Sequence, residues 1–226
     1  DFVETFPSVM FPRSRCFSVG GGAAASLRVA QYLLRLGHRQ GAFITLYNKL
    51  PWSIRRCAVL QEAFGAVGGT CRSFSPEDTT RVSSNPLDLH FELGKILYIL
   101  DVNKQLIPAR HIALTNRWVA AVNRVREQSL TGVLHDLFRK VLRHRDITVW
   151  ICANDQLALL ALDFLFGAGI RVPDQISVIG FDDILEARGA ELTTYNFTIE
   201  TSGNRAIDFI LRTKRGGGDK IGRAHV

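Results

Sequence analysis

Between Thr148 and Gly180 the chain sets a strand, a helix and a second strand in close succession, and this unit limits the folds open to it. Thr148–Cys152 and Ile176–Gly180 are short, apolar and rich in β-branched residues. The segment between them, Asp155–Ala168, is long enough for a helix, opens on an acid and is stopped by Gly169. Two strands joined through a helix lie parallel, because an antiparallel pair needs only a hairpin. Parallel strands in turn need helices over both faces. The same alternation occurs upstream, where Gly41–Leu46 stands between the helical patterns Ala23–Leu36 and Ser53–Val67. Ser8–Phe11, Ile96–Leu100 and a segment near Ile221–Val226 are further expected strands. The fold class is therefore α/β, with mostly parallel sheets flanked by helices.

The helices carry their own signals. Ala23–Leu36 places Leu27, Ala30, Leu33 and Leu34 on one face, and Gly37 suits the left-handed position that ends a helix. Ser53 is an expected N-cap for the next helix. Asn116–Arg145 reads as one long helix or a broken pair, with Val133, Leu134, Leu137, Phe138, Val141 and Leu142 on one stripe. Asp155–Ala168 is apolar almost all round, which requires burial on two sides, within the domain or at a subunit interface. Ser202–Lys214 is the last expected helix. From Arg72 to Leu114, Ser, Pro and Asn suggest loops around one strand.

With 226 residues, 46% of them apolar, the chain can bury a substantial core as one larger domain or two lobes. Its longest apolar stretch, Leu157–Phe166, is interrupted by Asp163 and is too short to cross a bilayer. No basic-then-apolar leader opens the sequence at Asp1, so a cytoplasmic protein is expected. Cys16, Cys57, Cys71 and Cys152 form no C-x-x-C pair and have no histidines at ligand spacing, so neither a metal site nor a disulfide framework is expected. Residues 101–145 carry nine Lys/Arg against three acids, +6 of the formal +7. A solvated helix face is preferred there over a nucleic-acid surface.

Gly20-Gly-Gly-Ala-Ala-Ala25 has the form G-x-G-x-x-A of a dinucleotide fingerprint. The fingerprint also requires an acid about twenty residues later for the ribose hydroxyls, and no Asp or Glu occurs between Glu4 and Glu62. A flexible turn into a helix is the preferred reading, and no cofactor is expected. Asp155, Asp182 and Asp183 follow the ends of Thr148–Cys152 and Ile176–Gly180, and ligands of open α/β sheets bind at the carboxyl ends of strands. A glycosidase would need two carboxyls at a set separation, which sequence does not supply. Asp and Asn side chains there suit the hydroxyls of a sugar, since each offers paired acceptors and Asn adds donors. Asp155 alone reads as a helix cap.

Three blocks carry a resemblance. Val149-Trp-Ile-Cys-Ala-Asn-Asp-Gln-Leu-Ala158, then Gly167-Ala-Gly-Ile-Arg-Val-Pro-Asp-Gln-Ile-Ser-Val-Ile-Gly-Phe-Asp-Asp-Ile184, then Leu192-Thr-Thr194 resemble the C-terminal signature of LacI/GalR-type sensor domains. Tyr32-Leu-Leu-Arg-Leu-Gly-His-Arg39 leading into Gly41-Ala-Phe-Ile44, and Trp52-Ser-Ile-Arg-Arg56 before Leu60-Gln-Glu-Ala63, resemble the family's first crossover and next helix. The resemblance implies a two-lobed, periplasmic-binding-protein-like type I fold with a small ligand, usually a sugar or its derivative, between lobes. It implies an incomplete N-terminal lobe of residues 1–40 with 197–215, and a C-terminal lobe of 41–196 with 216–226. Position by position, it implies ligand contacts at Asn154, Asp182, Arg56 in preference to Arg55, Phe197 and, as an aromatic wall, Trp52.

It further implies a homodimer, and DNA bound through a headpiece outside these 226 residues. Gly20–Gly22 stand where the family usually has an acid or amide, and the segment before Asn154 is longer than usual, as in a divergent branch with a different headpiece. A periplasmic-type sugar-binding protein is the alternative; Arg171-Val-Pro173 and Leu192-Thr-Thr194 favour the regulator over it. A nucleotide-dependent enzyme using Gly20–Ala25 is the third reading, and the leading one is not an enzyme.

Overall fold

A computed structural model describes residues 22–76 and 86–198, together with 203–204, 207–208 and 211. Its described strands form one parallel five-stranded sheet. In chain order these are β1 (Gln40–Ile44), β2 (Thr70–Phe74), β3 (Val149–Cys152), β4 (Ser177–Phe181) and β5 (Thr193–Tyr195). The spatial order is β2-β1-β3-β4-β5, so the chain builds outward from β1 in one direction, then crosses back to extend the other edge. That reversal lies between β1 and β3, where Gly41 pairs with Val149 and Ile44 with Cys152.

The helices are α1 (Gly22–Arg35), α2 (Pro51–Gly65), α3 (Pro86–Val102), α4 (Ala109–Leu142), α5 (Asp155–Gly167) and the short α6 (Leu185–Gly189). β3 is buried at every position, as a central strand covered on both faces requires. Phe43, Trp150, Ile151 and Phe181 from the strands meet Leu60 and Phe64 of α2, Leu137 and Phe138 of α4 and Leu165 of α5. Ala25, Val29, Ala30 and Leu33 of α1 join the same core, and α1 packs along α2. Phe138 stacks on Trp150 with centroids 5.6 Å apart and meets Phe164 at 5.3 Å.

Gly37 closes α1 as expected. At φ +93°, it lets the His38 N–H reach the Leu33 carbonyl and its own N–H reach Leu34, at 3.1 Å each, the paired bonds of a Schellman ending. Ser53 does not cap α2. The helix begins at Pro51, with Leu50 at the cap position, and the buried Ser53 hydroxyl instead bonds Thr45 Oγ1 at 2.9 Å.

Three sequence expectations need correction. Ile96–Leu100 is helical, inside α3, and packs along the N-terminal half of α4. A five-residue apolar run fits a strand and a helical face equally well. The strand in that region is β2, in which only Cys71 and Phe74 are buried, the weak pattern of an edge. The segment Asn116–Arg145, expected as one long helix or a broken pair, belongs to one helix that begins earlier, at Ala109, and ends at Leu142. Ser8–Phe11, Ile221–Val226 and Gly20–Gly21 lie outside the described residues; of Ser202–Lys214, the described positions are helical. No helix among the described residues is long and apolar enough to cross a membrane.

Candidate functional site

All five parallel strands carry their carboxyl ends on one side of the sheet, and Trp52, Arg56, Asn154, Asp182 and Phe197 lie on the segments that follow the ends of β1, β3, β4 and β5. Arg56 reaches that side from the first turns of α2. Its Nη1 donates to the Ala153 carbonyl just beyond β3 at 2.6 Å, while Arg55, one position earlier, is exposed. The Arg56 guanidinium lies over three aromatic rings: Phe181 at 3.9 Å from the centroid, Trp52 at 5.1 Å and Phe197 at 5.5 Å. Such stacking suits arginine, whose planar cation is weakly hydrated. Burial pushes its pKa down to about 10, against the pull of Asp182, which raises it. It therefore remains a cation at neutral pH. Its buried Nε has no hydrogen-bond partner among the described residues.

The rings form two packed groups that the Arg56 guanidinium bridges. Phe181 stacks on Phe197 at 6.1 Å, Tyr195 meets Phe197 edge-on at 5.1 Å, and Tyr47 packs on Trp52 at 5.3 Å. Sequence named Trp52 and Phe197 but not Phe181, Tyr47 or Tyr195. Alternation along β4 makes Phe181 look like core, which it also is.

Asp182 follows directly after β4 with φ +113°, and Asp183 follows at +55°, both conformations that side chains other than glycine rarely adopt. The turn is held in this shape. Asp182 N–H donates to Tyr195 O at 3.0 Å, and the Asp183 carboxylate takes a paired contact from Arg188 at 2.6 and 3.0 Å and a bond from Asn196 at 2.5 Å. Those partners hold the Asp183 carboxyl below the usual carboxylate range. Asp182, exposed overall, has its carboxyl held above that range by the protein around it, against the attraction of Arg56. The two neighbouring acids thus differ: Asp183 ties the turn together, while Asp182 lies within electrostatic reach of Arg56.

The reading of Asp155 as the cap of α5 is corrected. Asn154 is the cap, its Oδ1 accepting from Leu157 N at 2.9 Å. Asp155 is fully buried and acts as a brace: it accepts from Thr194 Oγ1 at 2.6 Å and from the Ile184 N–H at 3.1 Å. The start of α5, the turn after β4 and strand β5 are thereby joined at one carboxylate. Gly180 makes room for it, since a Cβ there would stand 2.1 Å from Asp155 Oδ1.

The thiols take no part. Burial pushes Cys71 up to about 12 and raises Cys152 and Cys57 as well, which leaves them protonated. Cys16 lies outside the described residues.

A model for the periplasmic binding protein-like domain matches residues 103–225. The HTH-type transcriptional regulator GalR of Escherichia coli is 38% identical over 174 residues, covering 74% of this chain and 48% of the relative. The arabinose metabolism transcriptional repressor of Geobacillus stearothermophilus is 37% identical over 78 residues, 33% of this chain and 21% of the relative. Among solved structures, a sugar-binding LacI-family regulator from Escherichia coli superposes with a TM-score of 0.54 at 20% identity, over 88% of this chain and 55% of that one. A CelR regulator bound to cellobiose gives 0.51 at 20% identity, over 89% and 47%. The chain thus spans about half the length of GalR, or less of the other curated relative.

Proposed function

Because the chain belongs to the periplasmic binding protein-like family, as the effector-binding domain of a LacI/GalR-type regulator, we propose that it senses a sugar or sugar derivative and passes the signal to a DNA-binding headpiece outside these residues. The observation that carries this reading is the cluster at the strand ends: Arg56 among Trp52, Phe181 and Phe197, with the Asp182 carboxylate beside it. A sugar needs both parts. Its hydroxyls pair with charged acceptors and donors, and its apolar ring face lies flat on an aromatic one. Arg56 and Asp182 bond the hydroxyls, Trp52 and Phe197 hold the ring, and Asn154 adds the amide donors that its capping role leaves over.

The ligand sits between two lobes, one built on the sheet of residues 41–196 with α1 in its core and the other entered by residues 197–215. It favours one lobe arrangement only to the extent that it binds that arrangement more tightly. Two copies pair, so that the lobe angle sets the spacing of their headpieces. The protein is a cytoplasmic regulator that performs no catalysis and needs no cofactor. GalR and the arabinose repressor, both regulators, support this reading.

The test is a thermal-shift screen of the intact protein against neutral sugars, sugar acids and sugar phosphates, with NAD(P) as the control. A ligand at one hundred times its dissociation constant stabilises by about 2.7 kcal/mol, and at least one sugar should raise the melting temperature while NAD(P) leaves it unchanged. A shift with NAD(P) alone would point to a nucleotide enzyme instead.

A further inference from the structure

Nothing in the sensing site uses α3 or the N-terminal half of α4. This helical hairpin follows β2 and precedes the stretch of α4, from Val133 onward, that enters the core. Its two helices pack on one another, and α4 turns Thr115, Val119 and Val122 half-buried toward α3.

A second stripe of α4, about a quarter turn round the helix from the first, is exposed and patterned. Leu114, Trp118, Ala121 and Val125 follow at intervals of four, three and four residues, the spacing of a coiled-coil seam. Leu114 is 54% exposed and Trp118 65%. Arg110, Arg117 and Arg124 recur every seven residues along one edge of that seam, all exposed, in the flanking position where charges choose a coiled coil's partner. No Asp or Glu occurs from Ala109 to Arg126. The basic tract of the sequence is thus an ordered edge beside an apolar strip, with Trp118 directly after Arg117.

We propose that this face docks an acidic amphipathic helix of another protein, with apolar residues in its seam and Glu or Asp opposite the three arginines. A second copy of this chain is a poor match. Laid antiparallel it sets arginine against arginine, and laid parallel it offers Thr115 and Val122, which are uncharged and turned toward α3. A phosphate backbone would match the arginines and leave Leu114 and Trp118 uncovered. A bilayer surface calls for an apolar face wider than a narrow seam, with basic residues on both of its flanks.

The probe is a labelled three-heptad peptide with Leu in the seam and Glu at both flanking positions, titrated with the intact protein by fluorescence anisotropy. Controls are a scrambled peptide of the same composition, the Lys-for-Glu peptide, a random-sequence duplex DNA and anionic vesicles. The Glu peptide should bind at micromolar concentration and the scrambled one should not. Trp118→Ala should weaken binding on the order of tenfold with the melting temperature unchanged. Arg110→Glu/Arg117→Glu/Arg124→Glu should abolish it and transfer binding to the Lys peptide; the single Arg117→Glu, which disturbs the fold least, should shift the preference the same way. The proposal is overturned if the Glu peptide does not bind, if the scrambled peptide binds equally, or if DNA or vesicles bind the same arginines more tightly than the peptide does.

Discussion

Arg56 packs among rings while its neighbour Arg55 lies exposed, since successive residues of a helix point about 100° apart; the resemblance already implies Arg56 in preference to Arg55. Asn154 and Asp155, also adjacent, are harder to tell apart. Both residue types cap helices, and sequence does not say which of two adjacent ones does so. The deciding partner, Thr194, lies 39 residues away from Asp155. Gly180→Ala is expected to force its new Cβ against the Asp155 carboxylate, lowering stability by about 1–3 kcal/mol, with urea unfolding as the check. At Asp182 the proposed ligand role carries a pH dependence. Its folded pKa lies above that of a free aspartate, and only the ionised form accepts from hydroxyls on both oxygens. Affinity should hold steady at neutral pH and fall as acid protonates the carboxyl, with a midpoint above that of free aspartate at about 3.9. Asp182→Asn should flatten that profile.

Among the elements, those with strong periodicity were readable and those set by their neighbours were not. The stripe Val133, Leu134, Leu137, Phe138, Val141 and Leu142 marks the buried end of α4; the first five are buried and Leu142 is half-buried. β2 escaped because an edge strand needs few apolar residues, and β5, three residues long, exists through its pairing with β4. α3 was mistaken for a strand because its apolar residues are shared between a face on α4 and an exposed one, so Ile96 and Ile99 lie in solvent. Phe138 joins α4 to the sheet through Trp150 and to α5 through Phe164. Phe138→Ala should cost about 3–5 kcal/mol, read as a lowered denaturation midpoint. The same substitution at exposed Trp118 should leave that midpoint in place.

At the scale of the whole molecule, the parallel sheet brings residues from positions 52, 56, 154, 182 and 197 to one edge, because all its strands end on the same side. That convergence follows from the βα order, which makes Asp155, Asp182 and Asp183 legible in the sequence as strand-end residues; Arg56, Trp52 and Phe197 come from the family resemblance, and the shape of the turn at Asp182 and Asp183 depends on Arg188, Asn196 and Tyr195. We propose that an effector binds at this edge through Arg56 and Asp182. Isothermal titration calorimetry of the best sugar from the thermal screen tests it most directly, on the intact protein and on its Arg56→Ala and Asp182→Ala variants. Loss of a charged hydrogen bond of this kind corresponds to about 1.5–3 kcal/mol, so each variant should bind at least about tenfold more weakly while remaining folded. Unchanged affinity in both folded variants would contradict the account.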